Sequence, residues 1–154
     1  MNWHAHVTVA AVVQHNDRFL LVHERSPDGT LVINQPAGHL EAGESLLDAV
    51  VRETREETRW EVQPEAILGF NLYTAPQNGI TYFRCNFLAS PVSEIIDGAL
   101  DQEIEAVLWL TREEIYARKT ELRSPMVSRA IDDFYSGQRY PLSLIQHYLP
   151  ETTS

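Results

Sequence analysis

The strongest constraint on the fold is a helical segment in the first half of the chain. Residues 45–58 read SLLDAVVRETREET and contain neither Gly nor Pro. The apolar residues suit one side of a helix; they are Leu46, Ala49, Val50 and Val51. Ser45 is a suitable N-cap, with Glu44 as an alternative boundary. The segment therefore predicts a helix from Ser45 to about Thr58 with one apolar side.

The same predicted helix carries a cluster of acidic side chains. Glu53, Glu56 and Glu57 stand at i, i+3 and i+4, so their side chains project from one face. Each like-charged pair destabilises a helix by roughly a few tenths of a kcal/mol unless a cation neutralises it. Clustered carboxylate oxygens suit Mg²⁺ or Mn²⁺. The alternative is a solvated face on which Arg52 and Arg55 form ion pairs of little energetic weight with nearby glutamates.

Residues on both sides of the acidic face stand at set distances from it. The positions are Gly38, Glu44, Arg52, Glu53, Glu56, Glu57 and Trp60. Together they resemble the signature of the Nudix hydrolase family. Two positions depart from the pattern. Thr54 replaces an aliphatic residue, and Arg59 replaces the glycine that normally ends the helix in a left-handed conformation. Both departures concern packing and helix-end geometry, because neither position is a ligand.

The resemblance implies both a fold and a chemistry. The expected fold class is α+β, a Nudix-type α/β/α sandwich with a central mixed sheet. The expected activity is Mg²⁺-dependent hydrolysis of a phosphoanhydride bond, with Mn²⁺ as a possible substitute. The metal ligands would be the side chains of Glu53, Glu56 and Glu57 and the carbonyl of Gly38. The catalytic residues would be Glu56, Glu57, Arg52 and Glu103.

The resemblance also implies individual roles around that metal. Arg52 would orient the glutamates by ion pairing, and Glu44 would brace the loop or help to bind a second cation. Family members often place a further glutamate on a loop before a strand that ends in tryptophan. Glu103, six residues before Trp109, fits that place, with Glu105 as a weaker alternative and a solvated loop acid as the plain reading. The catalytic base stays open among Glu56, Glu57 and Glu103.

A longer resemblance narrows the expected substrate. The stretches QPAGHLEAGE, LRSPMV (122–127) and SGQRYPLSLI (136–145) look like those of bacterial NudJ-type phosphatases. This implies nucleoside tri- and diphosphates, or the thiamine-pathway compound hydroxymethylpyrimidine pyrophosphate, as substrates. A second class of function is a Nudix-fold module that binds a nucleotide-like ligand without hydrolysing it. Loss of signature glutamates would favour that class, and none is lost here. A third is a structural protein with an acidic helix.

Candidate substrate contacts lie outside the acidic helix. His39 follows Gly38 and could contact a phosphate, although a role in fixing the loop fits equally well. Arg25 and Arg84 are candidate phosphate contacts. Tyr73 could stack on a base, although aromatic residues on strands more often pack in the core.

Turn and capping residues define the other elements. Residues 6–15 and 18–24 predict a hairpin around Asn16 and Asp17. Thr111 and Glu114 have capping-box spacing and predict a short helix. Ser124, Pro125 and Gly137 bracket another helix. The clearest further strands are 81–89 and 104–110, and residues 90–103 between them are predicted to be loop.

Composition sets the remaining expectations. A chain of 154 residues with 44% hydrophobic residues suffices for one domain over 1–154, expected to be a monomer or a homodimer. The net charge of −10 argues against general binding of nucleic acid or an anionic membrane. The partner expected is a small phosphoanhydride substrate. Cys85 is the sole cysteine and no apolar run could span a bilayer, which favours a cytoplasmic location.

Overall fold

The computed structural model describes residues 2–151 as a set of strands with helices before and after the last of them. The strands are β1 (His6–His15), β2 (Arg18–Arg25), β3 (Leu31–Asn34), β4 (Ala37–His39), β5 (Trp60–Thr74), β6 (Thr81–Glu94) and β7 (Ile104–Thr111). The helices are α1 (Leu46–Thr58), α2 (Arg112–Ala117) and α3 (Pro125–Ser136), with 3₁₀ turns at Lys119–Glu121 and Leu142–Leu144. Within 2–151, no helix is long and apolar enough to cross a membrane.

The strands form one mixed sheet whose two halves separate at the β1–β2 hairpin. The order is β3-β2-β1-β6-β5, with β1 and β6 parallel and the other pairs antiparallel. β1 and β2 pair only beside their turn, at Gln14 with Phe19 and His15 with Arg18. Further along, β1 pairs with β4 while β2 pairs with β7. A cleft opens where the two strands diverge, and residues of both strands line it.

Helices cover both faces of the sheet, which confirms the α+β sandwich with a mixed central sheet. Ala49 and Val50 of α1 are fully buried in a cluster with β1, β5 and β6 residues such as Phe87. On the opposite face, Ile115 of α2 and Ile131 of α3 are buried in a second cluster. The apolar side predicted for the 45–58 helix is the side that packs.

The predicted turn and caps are confirmed. Asn16 and Asp17 both have positive φ, 51° and 62°, as a tight hairpin turn of this twist requires. The Ser45 hydroxyl accepts a hydrogen bond from the Asp48 N–H, so Ser45 caps α1. Thr111 caps α2 through Glu114, and α3 begins at Ser124–Pro125 and ends at Gly137.

The prediction of a loop over 90–103 is wrong for its first residues. β6 continues to Glu94, because its backbone pairs with the start of β5, where Trp60 lies opposite Glu94 and Glu61 opposite Ser93. The start of β5 alternates apolar and polar residues from Trp60 to Ala66, but Pro64 lies within it and the ladder is irregular near Val62 and Pro64. Residues 90–94 have no such pattern of their own, and their pairing with β5 makes them part of β6.

The two departures from the family signature are accommodated locally at the end of α1. Arg59 has φ 61° and ψ 26°, the left-handed conformation for which glycine is usual, and its N–H donates to the Arg55 carbonyl at 2.8 Å. Thr54 is fully buried, and its hydroxyl donates to the Val50 carbonyl at 2.7 Å. The helix therefore ends as a glycine would end it, at a cost of roughly 1 kcal/mol for the Cβ of Arg59.

Candidate active site

A cleft of about 1020 Å³ lies between α1 and the separated halves of the sheet. The α1 side presents Arg52, Glu53, Glu56 and Glu57, and the ends of β1, β2, β5 and β6 form the floor and a wall. The loop before β7 and residues 122–124 close the remaining sides. The residues predicted for metal binding and catalysis, including Gly38 and Glu103, all line this one cleft.

Glu57 is the most buried carboxylate of the acidic face, with 5% of its surface exposed. Its Oε1 accepts a hydrogen bond from the Ala37 N–H at 2.8 Å, which fixes the side chain against β4. Burial raises the pKa of Glu57 to about 9, and the nearby carboxylates of Glu24, Glu53 and Asp101 add to the rise. A divalent cation beside it would favour the ionised form and oppose that shift.

Gly38 and Glu53 are in such close contact that a Cβ at position 38 would require the Glu53 carboxylate to move. A Cβ on Gly38 would lie 2.1 Å from the Cδ of Glu53. Burial raises the pKa of Glu53, although hydrogen bonding to Arg52 opposes this. The partly buried Glu53 carboxylate of α1 therefore packs directly against the backbone of β4 at Gly38.

Arg52 ties the acidic helix to the loop before it. Its Nη2 and Nε donate to the two carboxylate oxygens of Glu44 at 2.7 and 3.0 Å, and its Nη1 donates to Glu53 at 2.8 Å and Glu56 at 3.2 Å. Nη2 also donates to the His39 carbonyl at 3.1 Å. Only 15% of the Arg52 side chain is exposed, so the solvated-face alternative does not describe it. Hydrogen bonds from Arg52 hold the pKa of Glu44 below its usual range.

These oxygen donors fit a hard divalent cation. Glu53 and Glu57 are largely removed from water, and the Glu53 carboxylate lies against the Gly38 backbone. Carboxylate and carbonyl oxygens are the ligands that such a cation prefers. Within residues 2–151, no group of three acidic, His or Cys side chains already converges around one point. Arg52 instead contacts Glu53 and Glu56 and offsets part of their charge. A cation would complete that neutralisation.

The loop before β7 brings two further acids to the cleft. Glu103 directly precedes β7 and lines the cleft, as its predicted place requires. Asp101 lies beside α1, where its N–H donates to the Glu56 carbonyl at 3.3 Å, and burial raises its pKa, with Glu103 and Glu56 adding to the rise. Glu105, the weaker alternative, instead forms an ion pair with Arg25, and the hydrogen bond from Arg25 lowers its pKa.

The four candidate substrate contacts also line the cleft, and they differ in their burial and in the partners that they already bind. Arg25 is at the rim, where Glu105 and the Gly29 carbonyl already bind its guanidinium. His39 contacts His6, with 3.0 Å between its Nε2 and the His6 Nδ1. Burial lowers the pKa of His39, and electrostatic repulsion from His6 lowers it further. Tyr73 and Arg84 come from β5 and β6, and Arg84 is buried.

Several cleft residues escaped the sequence analysis. They are Thr8, Glu24, Asp101 and Arg123. Glu24 is 5% exposed and accepts hydrogen bonds from Asn34 and Arg123. Polar residues within apolar strands, such as Thr8 in HVTVAAVV, were the available signal. Asp101 lies outside the strands and gave none, whereas Arg123 lies in the LRSPMV stretch, to which no residue role was assigned.

Comparison with known proteins gives consistent matches. A model of the NUDIX domain matches residues 4–130. The chain is 40% identical over 141 residues to proteins named Phosphatase NudJ from Shigella boydii and Escherichia coli (strain K12), covering 91% of this chain and 90% of each relative. A solved NUDIX hydrolase from Nitrosomonas europaea is 41% identical with a TM-score of 0.92, covering 94% of this chain and 98% of that one. A UDP-X diphosphatase structure, 18% identical with a TM-score of 0.71 over 92% and 68% of the two chains, shares the fold.

Proposed function

We propose a metal and a substrate for this chain, which belongs to the Nudix family and is a hydrolase acting on phosphoanhydride bonds. The metal is Mg²⁺, with Mn²⁺ as a possible substitute, and its ligands are Glu53, Glu56, Glu57 and the carbonyl of Gly38. The observation that carries this proposal is the close packing of Gly38 against Glu53 beside the buried Glu57. Desolvated carboxylates held this close to a backbone strand favour a hard cation.

The chain's own groups fix the geometry of the reaction. The Ala37 N–H holds Glu57, and Arg52 holds Glu53 and Glu56 while tying them to the Glu44 loop. A cation held by these residues would offset phosphate charge and would help to generate the attacking hydroxide. Glu56, Glu57 and Glu103 are the candidate bases, since a base must reach the water directly or through one further water.

The proposed substrates are nucleoside di- and triphosphates or hydroxymethylpyrimidine pyrophosphate. Support comes from the 40% identity to proteins named Phosphatase NudJ over nine-tenths of the chain. The cleft of about 1020 Å³ also has room for a ring beside the phosphates, next to Tyr73. A screen of these compounds with and without Mg²⁺, with products identified, would assign the substrate.

The central test is Glu57→Gln. The variant keeps an oxygen that can accept from the Ala37 N–H but cannot carry the negative charge, so we expect kcat to fall by roughly 100-fold or more at an unchanged fold. Glu113→Gln, which removes an exposed acid of α2 outside the cleft, is the matched control and should keep full activity. Circular dichroism and melting temperature check the fold of both variants.

Two outcomes would contradict the proposal. Turnover close to wild type in Glu57→Gln with saturating Mg²⁺ would exclude Glu57 from the reaction. Tight calorimetric binding of a diphosphate by the wild-type protein, with no phosphate released over hours in Mg²⁺ or Mn²⁺, would instead identify a non-catalytic binding module.

A further inference from the structure

Two neighbouring strands bring a pair of unsatisfied polar side chains to the floor of the cleft. Thr8 on β1 lies directly opposite Arg84 on β6 in the parallel register. Thr8 is 4% exposed and Arg84 is 6% exposed, and both line the cleft. The Thr8 hydroxyl and the Arg84 Nε have no hydrogen-bond partner within residues 2–151. Buried polar atoms are nearly always paired, so two adjacent exceptions need a reason.

The charge of Arg84 is also uncompensated at close range. In the described part of the chain, no carboxylate oxygen lies within 4.0 Å of its guanidinium nitrogens. Among residues 2–151, its one side-chain hydrogen bond runs from Nη1 to the Gln35 Oε1 at 3.4 Å. Burial lowers the pKa of Arg84 to about 10, with the carboxylates of Glu24 and Glu57 opposing the fall, so the group is still a cation at neutral pH. A desolvated cation without a close anion binds an anion strongly.

A chain of buried amides holds the guanidinium in place from one side. Gln35, which accepts from Arg84, donates through Nε2 to the Asn86 Oδ1 and to the Ala11 carbonyl, each at 3.3 Å. Asn86 donates in turn to Asn71 at 2.7 Å. Arg84 joins this chain through its Nη1 only. Its Nε stays without a partner among the described residues.

The buried acid that most raises the pKa of Arg84 is Glu24, and it is already hydrogen-bonded elsewhere. Glu24 accepts from the Arg123 Nη1 at 2.8 Å and from Asn34 at 2.9 Å. Arg123, with 40% of its side chain exposed, lies in the wall of the same cleft. Glu24 thus positions Arg123 and does not neutralise Arg84 by direct contact. The floor keeps a positive charge in a cleft otherwise rich in carboxylates.

We propose that Thr8 and Arg84 form an oxyanion subsite that holds one phosphate group of the substrate. The inference rests on the proposed function and adds to it the residues that grip the phosphate on the sheet side, opposite the α1 carboxylates. Arg84 supplies charge-assisted N–H donors, and the Thr8 hydroxyl donates beside them. Binding there adds to the affinity for the substrate in the ground state and the transition state alike. Thr8 and Arg84 are specificity residues for phosphate, and they do not take part in bond cleavage.

The test uses Thr8→Val and Arg84→Met, with Arg84→Lys as the charge-conserving variant. Methylenediphosphonate, which cannot be hydrolysed, is titrated calorimetrically into each protein with Mg²⁺ and again in EDTA. We expect Arg84→Met to weaken its binding roughly 10- to 100-fold and Thr8→Val to weaken it several-fold. Arg84→Lys should recover part of the loss. The affinity for Mg²⁺ alone should not change in any of the three.

Stability and kinetics separate this role from a structural one. Because neither unpartnered atom contributes a hydrogen bond to the fold, Thr8→Val should keep or raise the melting temperature, whereas a structural hydroxyl would lower it. With a nucleoside diphosphate as substrate, Arg84→Met should raise KM at least about tenfold and leave kcat within about threefold. Inhibition by inorganic phosphate should weaken in parallel, since phosphate presents the same oxygens.

Unchanged diphosphonate binding in folded Arg84→Met or Thr8→Val would overturn the subsite. A change in phosphate inhibition at unchanged KM would likewise contradict it, because the occupant would then be the product and not the substrate. These outcomes differ from failure of the proposed function. A wild-type protein that binds methylenediphosphonate through Arg84 in EDTA, yet hydrolyses no phosphoanhydride with Mg²⁺, would keep the subsite and remove the activity.

Discussion

At the scale of single residues, the Gly38 backbone and the Glu53 carboxylate are packed so closely that there is no free space between them for a Cβ. Gly38 does not need glycine for its φ, since its φ is not in the left-handed region. It needs glycine because the Glu53 carboxylate occupies the place of a Cβ. The family resemblance assigns Gly38 a fixed position, and the contact supplies a physical reason for it.

Gly38→Ala should therefore lower the hydrolase activity, because the added Cβ would collide with the Glu53 carboxylate. The added Cβ would force Glu53 away, and a displacement of about 1 Å at a reacting centre costs on the order of 100-fold in kcat/KM. Gly69→Ala is the matched control, because its Cβ would meet the Asp133 Oδ2 at an ordinary 3.5 Å. Steady-state kinetics and Mg²⁺ titration of both variants check this. Full activity in Gly38→Ala would show that Glu53 has room to move.

At the scale of elements, α1 connects the packed core to the acidic face. Ala49 and Val50 are buried on one side, while Arg52 links Glu44, Glu53 and Glu56 on the other. The helix ends at Arg59 in a left-handed conformation, and the Arg59 carbonyl then accepts from the Ile95 N–H at 2.7 Å. The helix end therefore also anchors the residues that lead to Asp101 and Glu103.

Arg59→Gly should stabilise the protein, because glycine adopts this conformation without the Cβ penalty. We expect up to about 1 kcal/mol, or about 2–4 °C in melting temperature for a chain of this size. Arg59→Ala retains the Cβ and is the control for loss of the side chain. Thermal denaturation of the wild type, Arg59→Gly and Arg59→Ala tests this prediction. Equal increases in melting temperature for the two variants would show that the effect comes from losing the Arg59 side chain beyond its Cβ.

At the scale of the molecule, the separated halves of the sheet create a cleft lined by many acidic side chains, which favours a bound cation. Glu53, Glu56, Glu57, Asp101 and Glu103 all line it, in a chain with a net charge of −10. Burial holds the pKa values of Glu53, Glu57 and Asp101 above their ordinary ranges. Without a cation, burial in the folded protein therefore disfavours the ionised forms of these three carboxyl groups.

Mg²⁺ should raise the melting temperature of the whole domain. At a concentration 100 times Kd, the gain is about 2.7 kcal/mol, or roughly 5–10 °C. EDTA should reverse the shift, and NaCl of matched ionic strength should not reproduce it. Glu53→Gln should lose most of it. A Mg²⁺ shift of equal size in Glu53→Gln would place the stabilising cation elsewhere.

The sequence by itself determined the position of α1, its caps, the hairpin and the spacing of the acidic residues, because these depend on local periodicity and on side chains a few residues apart. Only the tertiary structure decided that 90–94 belongs to β6, that the Glu53 carboxylate occupies the place of a Cβ on Gly38, and that Thr8 lies opposite Arg84. Each of those features joins residues far apart in the chain. Their strand pairing and burial are set by the closing of the sheet, which no local pattern encodes.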